Sequence, residues 1–155
     1  MITSRAETHN RVEGDPCIIY VDGEPASKAN SRAFVKIAGK PRMIKSKKAL
    51  GYVRDFNIQC PIRRELFEGD TAVAIKIYYA SKRPDLDESL ILDLLQGKVF
   101  KNDRCVKSKY IEWGLSRDNP RVIIVVSSID NTDLVRDTLI ELVSTIDNKE
   151  LVIPH

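Results

Sequence analysis

The sequence predicts a single α+β domain, with helices packed on a mixed β-sheet and one extra helix at the C-terminus. The chain has 155 residues, the size of one ordinary domain, and its 43% of hydrophobic residues can form a core. Segments with apolar residues at every second position are interspersed with segments of helical spacing. Strands and helices do not alternate strictly, so α+β is favoured over a regular α/β arrangement.

Nine elements follow from the apolar patterns and the turn residues between them. In order they are a strand at 17–21, a hairpin of strands at 33–37 and 42–45, a helix at 46–59, a strand at 71–80, a helix at 87–96, strands at 105–113 and 121–127, and a helix at 132–147.

Turn and cap residues justify the elements of the first half. Asp22-Gly23-Glu24-Pro25 ends the first strand, and Ala38-Gly39-Lys40-Pro41 separates the two strands of the hairpin, whose pairing is expected to be weak. Ser46 is a suitable N-cap for the first helix, and Pro61 stops it. The side of this helix that is expected to face the core consists of Ala49, Leu50, Val53 and Phe56.

The second half is justified in the same way. Thr71 to Ala80 alternates as a half-buried strand does, with Val73, Ile75, Ile77 and Tyr79 on its inner face. Asp87 can cap the next helix and Gly97 can end it. Val122 to Val126 is apolar throughout and predicts a central strand. The last helix has acidic residues at its start, where the helix dipole favours them.

Composition excludes several classes of protein. No apolar run approaches the roughly 18 residues that cross a bilayer, and the start is polar, so we expect a cytoplasmic protein without a membrane partner. Cys17, Cys60 and Cys105 are odd in number and far apart, which favours buried thiols over disulfides or zinc. The only histidines are His9 and His155, so carboxylates must carry any catalysis.

Positive charge is concentrated in one segment. Between Pro25 and Arg54 there are nine basic residues and no acidic ones, while the rest of the chain has 16 basic against 22 acidic residues. Such a segment is typical of a surface that binds a polyanion such as nucleic acid, although it could also be a solvated face. The expected DNA contacts in this segment are Lys28, Arg32, Lys36, Lys40, Arg42, Lys45, Lys47 and Lys48.

Three aspartates stand where the chain turns. Asp85 and Asp87 follow the strand at 71–80, and their i, i+2 spacing in an extended segment puts them on one side, about 6.6 Å apart. Asp103 follows the next helix, which can return it to the same edge of the sheet. Grouped carboxylates without histidine or cysteine favour Mg²⁺ or Mn²⁺. The bland alternative is that the three are a cap and two turn residues.

Two motifs resemble the RusA family of Holliday junction resolvases, which are small dimeric endonucleases of bacteria and phages. The first, Gly23-Glu24-Pro25-Ala26-Ser27-Lys28 with Arg32 nearby, is similar to the family's opening after its first strand. The second is Arg83-Pro84-Asp85-Leu86-Asp87, followed by a helix with Leu-Asp-Leu-Leu and then by Asn102-Asp103. The resemblance spans roughly 18–126.

The resemblance implies a mechanism and a division of the chain. Asp85, Asp87 and Asp103 correspond to the family's metal-binding catalytic aspartates, which implies Mg²⁺ as cofactor with Mn²⁺ as a substitute. A homodimer would resolve four-way or related branched DNA by paired nicks, in keeping with the two-fold symmetry of such a junction. The expected division is a polar segment at 1–15, a RusA-like nuclease domain at 16–127 and an acidic helical extension at 128–155.

Three positions depart from the family pattern in ways that bear on catalysis. Glu88 stands where the family commonly has Asn, Ile91 where it has a catalytic lysine, and Asn102 replaces the first acid of a pair. Arg83 is the first choice to supply the missing charge, because its fork can hold two phosphate oxygens. The other candidates are Lys82, Lys98 and Lys101, and we count Lys82 and Lys101 among the expected DNA contacts.

Two other functions stay open at this point. A branched-DNA-binding protein of the same fold, either non-catalytic or attenuated, would bind junctions and cut them slowly or not at all. A basic single-strand binder has less support, because Phe34 is the only aromatic residue between Pro25 and Gly51 and stacking platforms need several.

Overall fold

A mixed four-stranded sheet with helices on both faces forms the body of the molecule, which confirms the predicted α+β class with its C-terminal helix. The computed structural model describes residues 16–27, 32–82 and 84–152, so the expected N-terminal segment lies outside the described residues. The elements are β1 Cys17–Asp22, β2 Arg32–Ile37, β3 Lys40–Lys45, α1 Lys47–Gln59, β4 Thr71–Tyr79, α2 Ser89–Leu95, β5 Val106–Leu115, β6 Arg121–Ser128 and α3 Thr132–Val152. None of the helices in these ranges is long and apolar enough to cross a membrane.

The strand order in the sheet is β1-β6-β4-β5. β6 pairs with β1 and β4 in antiparallel fashion, whereas β4 and β5 are parallel. Parallel strands need a crossover, and α2 provides it between β4 and β5. β5 is therefore an edge strand, and β6 is central as its uninterrupted apolar run predicts.

β4 is buried on both faces, so the expectation of a half-buried strand was wrong. Val73, Ile75, Ile77 and Tyr79 share one inner face, as predicted, and this face packs with α1 and α2. Ala72 and Ala74 on the other face pack under α3, against Val135 and Leu139. The C-terminal helix therefore lies on the sheet and supplies its second core. A strand between two helical layers is apolar on both sides, which its Ala-Val-Ala-Ile sequence already satisfies.

α1 begins and ends as the sequence predicts, but its buried face is rotated. Ser46 accepts a hydrogen bond from the Ala49 backbone N–H, and Cys60 follows the last residue, Gln59. Tyr52 is buried together with Ala49 and Phe56, while Leu50 is 53% exposed. Leu50 is thus on the solvent side, because the large Tyr52 ring fills the place next to the β1 turn.

The cysteines are unpaired thiols. Cys17 and Cys60 are buried and Cys105 is half-buried. Burial raises the pKa of Cys60 to about 12, so this thiol stays protonated at neutral pH.

The hairpin of β2 and β3 stands apart from the sheet. Its strands pair only with each other in the sheet topology, and every residue of β3 is exposed. Ala38 and Gly39 both have positive φ, at 54° and 79°, which is the backbone of the two-residue turns that suit a twisted hairpin. The predicted hairpin is confirmed with a turn two residues shorter than the sequence suggested.

Candidate active site at the end of β4

The hydroxyl of Tyr79 holds the loop that contains two of the predicted aspartates. It donates a hydrogen bond to the backbone oxygen of Asp85 at 3.2 Å and accepts one from the backbone N–H of Asp87 at 3.1 Å. Tyr79 is the last residue of β4, is only 1% exposed and stacks on Trp113 with ring centroids 6.3 Å apart. The sheet therefore fixes the backbone on both sides of Leu86.

Asp87 closes the turn that leads into α2. One of its carboxylate oxygens accepts hydrogen bonds from the Ser89 backbone N–H at 3.0 Å and from the Ser89 hydroxyl at 2.5 Å. The residue at the N-cap position is Glu88, whose side chain makes no cap bond, so the predicted cap is displaced by one residue. Asp87 is half-buried and Asp85 is exposed. One carboxylate is thus oriented by the protein and the other faces solvent.

Carboxylates from two parts of the chain surround the Tyr79 hydroxyl. Burial raises the pKa of Tyr79, and the negative charges of Asp87, Glu24 and Glu88 raise it further, against the hydrogen bond from the Asp87 backbone, which lowers it. The hydroxyl therefore remains protonated and can keep both of its bonds to the loop.

Glu24 connects this loop to the basic segment. One of its oxygens accepts a hydrogen bond from the backbone N–H of Ala80, directly after β4, at 2.9 Å. The other is 3.1 Å from the Nζ atom of Lys48 in the first turn of α1. The start of α1, which carries part of the basic segment, is therefore linked through Glu24 to the residue that directly follows β4.

Asp103 lies at the other end of the crossover from the aspartate loop. It opens a short 3₁₀ helix just before β5, and its backbone N–H donates to the Gln96 side chain at the end of α2. Because β4 and β5 are parallel, the end of β4 lies beside the end of β5, and the start of β5 lies beside the start of β4. The loop after β4 runs back towards β5, where Glu88 lies 2.7 Å from Lys109.

The three predicted aspartates carry the type of oxygen ligand that binds hard cations. Asp85, Asp87 and Asp103 offer carboxylate oxygens, which Mg²⁺ and Mn²⁺ prefer, and both histidines of the chain lie outside the described residues. Within 16–27, 32–82 and 84–152, no three acidic, histidine or cysteine side chains are grouped closely enough to hold a metal ion. A cation would have to draw the three carboxylates together, and their convergence stays a prediction.

The predicted DNA contacts are mostly exposed. In the hairpin and the first turn of α1, the exposed ones are Lys36, Lys40, Arg42, Lys45, Lys47 and Lys48. Lys28 lies outside the described residues, and so does the side chain of Arg32, whose backbone begins β2.

The candidates for the extra catalytic charge have different outcomes. Arg83 also lies outside the described residues. Lys82 is exposed, and Lys101 is paired with Glu68 at 2.5 Å on an open surface. Ile91 is fully buried in the core between α2 and the sheet, so a lysine at this position could not reach a phosphate without leaving the core.

Sequence reasoning overlooked three residues of this region: Tyr79, Glu24 and Lys109. A tyrosine at the end of a strand directly before an acidic loop is a usable signal, and Glu24 lies inside a motif that the sequence already singled out. Lys109 gave no signal, because its approach to Glu88 depends on how β5 pairs with β4.

Comparison with known proteins agrees with this geometry. The family model of the endodeoxyribonuclease RusA matches residues 22–127, which include the basic segment, the aspartate loop and the whole β4-α2-β5 crossover. No curated protein matches the chain significantly. The family match covers about two thirds of the sequence and contains every described residue of the candidate site. This chain therefore belongs to the RusA endodeoxyribonuclease family.

Proposed function

We propose that this protein is a magnesium-dependent endonuclease that cuts four-way and related branched DNA junctions by paired nicks. The observation that carries the proposal is the aspartate loop held by Tyr79 at the end of β4, inside the residues that match a DNA endonuclease family. The loop is fixed by a buried residue while Asp85 remains open to solvent, as a site that acts on a large external substrate requires.

The carboxylates and the basic surface have complementary tasks. Asp85, Asp87 and Asp103 would hold Mg²⁺, which supplies an activated water and charge stabilisation for the departing oxygen. Lys48 and the hairpin would bind the phosphates that flank the cut, and Glu24 links Lys48 to the residue that directly follows β4. Phosphate contacts of this kind position a nucleic acid without reading its sequence, so they suit recognition of shape.

A homodimer would present two equivalent sites to the two-fold symmetric junction, and each would cut one strand. Carboxylate ligands and a metal-bound water would be sufficient for phosphodiester hydrolysis, so the proposed reaction needs no histidine. The nucleophile is water, and no residue of the chain needs to form a covalent intermediate.

The proposal is tested with a labelled four-way junction incubated with and without Mg²⁺. Paired nicks are expected only with the metal, and a junction that is bound but never cut would contradict the assignment. Asp85→Asn and Asp103→Asn should each lower the single-turnover rate at least a hundredfold, because the amide keeps the shape but removes the charge that holds the cation. Asp93→Asn is the matched control, since Asp93 is exposed on α2 and outside the site.

A non-catalytic or attenuated junction-binding protein is the second candidate. It is favoured by one observation, namely that the described acidic side chains do not form a ready group of three. In the same gel experiment such a protein would shift the junction and nick it slowly or not at all, at any concentration of Mg²⁺ or Mn²⁺.

A further inference from the structure

Lys109 lies against the aspartate loop from a different strand. Its Nζ atom is 2.7 Å from a carboxylate oxygen of Glu88, the residue that directly follows Asp87. The Lys109 side chain is 45% exposed and that of Glu88 only 20%, so the pair is open to solvent on the lysine side. A cation is therefore held beside the loop with free surface around it.

An irregularity in β5 turns Lys109 towards α2. Thr71 of β4 is opposite Val106, but its neighbour Ala72 is opposite Ser108, so Lys107 is an extra residue in the pairing. Such a bulge exchanges the two faces of the strand beyond it. Without it, Lys109 would point under α3. With it, Lys109 is opposite Val73, whose side chain packs in the core below α2.

The ion pair places Lys109 beside one part of the site. Its partner Glu88 directly follows Asp87 in the chain, and Lys109 reaches it from β5. A phosphate bound at Asp87 would therefore lie beside the residue that Lys109 contacts.

We propose that Lys109 contacts the phosphate at which the DNA is cut, and that Glu88 holds the lysine in place until DNA arrives. This inference rests on the proposed nuclease function. On binding, the phosphate replaces Glu88 as the partner of Lys109, and the positive charge stabilises the negative charge that grows on the phosphate oxygens during the displacement. The paired lysine is oriented before DNA arrives, so little ordering is left for the reaction itself.

The test breaks the same ion pair from either end. Lys109→Gln removes the cation, and Glu88→Gln removes the partner while leaving the cation. Single-turnover cleavage of a junction is measured at saturating protein, together with junction affinity and thermal unfolding. We expect Lys109→Gln to lose at least tenfold in rate, equal to about 1.4 kcal/mol of barrier, with its affinity within threefold of the original. Glu88→Gln should lose less than threefold.

Two further variants complete the experiment. Lys109→Arg keeps a cation on a long side chain and should recover at least a third of the rate. Lys107→Gln is the matched control, because Lys107 is an exposed lysine two residues away on the same strand, and it should cut at the original rate.

Each result decides the matter. Equal losses in Lys109→Gln and Glu88→Gln, or a larger loss in Glu88→Gln, would overturn the proposal, because the ion pair would then act only on the shape of the loop. Normal cutting by Lys109→Gln would overturn it as well, while the nuclease function would stand. If the unaltered protein fails to cut any junction with Mg²⁺, the proposed function itself fails.

Discussion

β4 and β3 are the most different strands of this protein in their exposure to solvent. Every residue of β4 is buried, because the sheet is covered by α1 and α2 on one face and by α3 on the other. Every residue of β3 is exposed, because the hairpin pairs with no strand of the sheet. The aspartate loop follows β4 directly, and β3 lies within the basic segment and carries Lys40, Arg42 and Lys45. The core therefore fixes the strand that leads into the aspartate loop, whereas the basic strand lies outside that core.

The register of the hairpin explains why it is not covered. Phe34 is opposite Met43 on one face, and Val35 is opposite Arg42 on the other. Both faces thus mix apolar and basic residues, and Phe34 is 75% exposed. A two-stranded sheet has little stability of its own in water, and neither face here can join an apolar core without burying a charge. The hairpin consequently remains available to an external polyanion.

The largest effect on stability is expected from a charge introduced into the core between α2 and the sheet. Ile91→Lys would bury a lysine among apolar side chains, where desolvation typically shifts a pKa by about three units, or roughly 4 kcal/mol. Urea unfolding should show this loss in free energy of unfolding. Asp93→Lys, on the exposed side of the same helix, should change it by less than about 0.5 kcal/mol. Equal stability of the two variants would mean that α2 does not pack as described.

Tyr79 is buried in β4, and its hydroxyl binds the aspartate loop. Tyr79→Phe removes both of these hydrogen bonds and keeps the ring. The expected cost in stability is about 1 kcal/mol, since one hydroxyl is lost and a buried backbone group is left without its partner. Single-turnover cleavage should fall about tenfold, because the two aspartates are no longer held at fixed positions. Tyr110→Phe is the control, as that hydroxyl lies on the other face of the sheet.

Much of this comparison is visible in the sequence. The apolar spacing of α1, β4 and β6, the Ser46 cap and the stop at Pro61 are local features, and they predict the elements to within a few residues. The basic segment is visible because charge can be counted. The family was predicted from two short motifs, and the match over 22–127 confirms it.

The remainder depends on contacts between distant parts of the chain. Burial of the second face of β4 requires knowing that α3, more than 50 residues later, returns to cover it. The N-cap is at Glu88 instead of Asp87 because the Tyr79 hydroxyl binds the backbone of Asp87. This contact is not visible in the local sequence. The approach of Lys109 to Glu88 requires a single extra residue in the pairing of β5, and a shift of one residue exchanges the faces of a strand.

Removal of charge from the hairpin should affect binding but not folding. Lys40→Ala combined with Arg42→Ala removes two exposed cations from β3. If each contacts one phosphate, the slope of log affinity against log salt should fall in magnitude by about 1.8, at about 0.9 per contact. The free energy of unfolding should stay within about 0.5 kcal/mol.

The matched control for the hairpin is Arg117→Ala combined with Arg136→Ala, which removes the same charge from exposed positions away from the basic segment. Its salt slope should equal that of the original protein. A change as large as that of the hairpin variant would show that net charge alone, and not the hairpin surface, sets the affinity for junctions.

The smallest effect is expected from the ion pair of Lys76, a charged residue that is buried in β4. Lys76, in the middle of β4, donates a hydrogen bond to Glu112 on β5, and the Tyr110 hydroxyl donates another at 2.6 Å. These bonds, that of Lys76 foremost, hold the pKa of Glu112 below its ordinary value. A lowered pKa means that the folded state favours the carboxylate, so the stabilisation is present above the ordinary pKa and is lost as the pH falls through the lowered one.

Glu112→Gln should therefore reduce stability at neutral pH and flatten its dependence on pH in the acidic range. Because the Glu112 side chain is 38% exposed, solvent screens the pair and the difference at pH 7 should be below about 1 kcal/mol. Urea unfolding between pH 3 and pH 7 measures both quantities, with Glu65→Gln as an exposed control. The two curves should approach each other as the pH falls through the lowered pKa of Glu112, because the carboxylate is then protonated in the folded state as well. A constant gap across this range would mean that the carboxylate contributes through its shape and not through its charge. Lys76 would then gain no stability from the negative charge of Glu112.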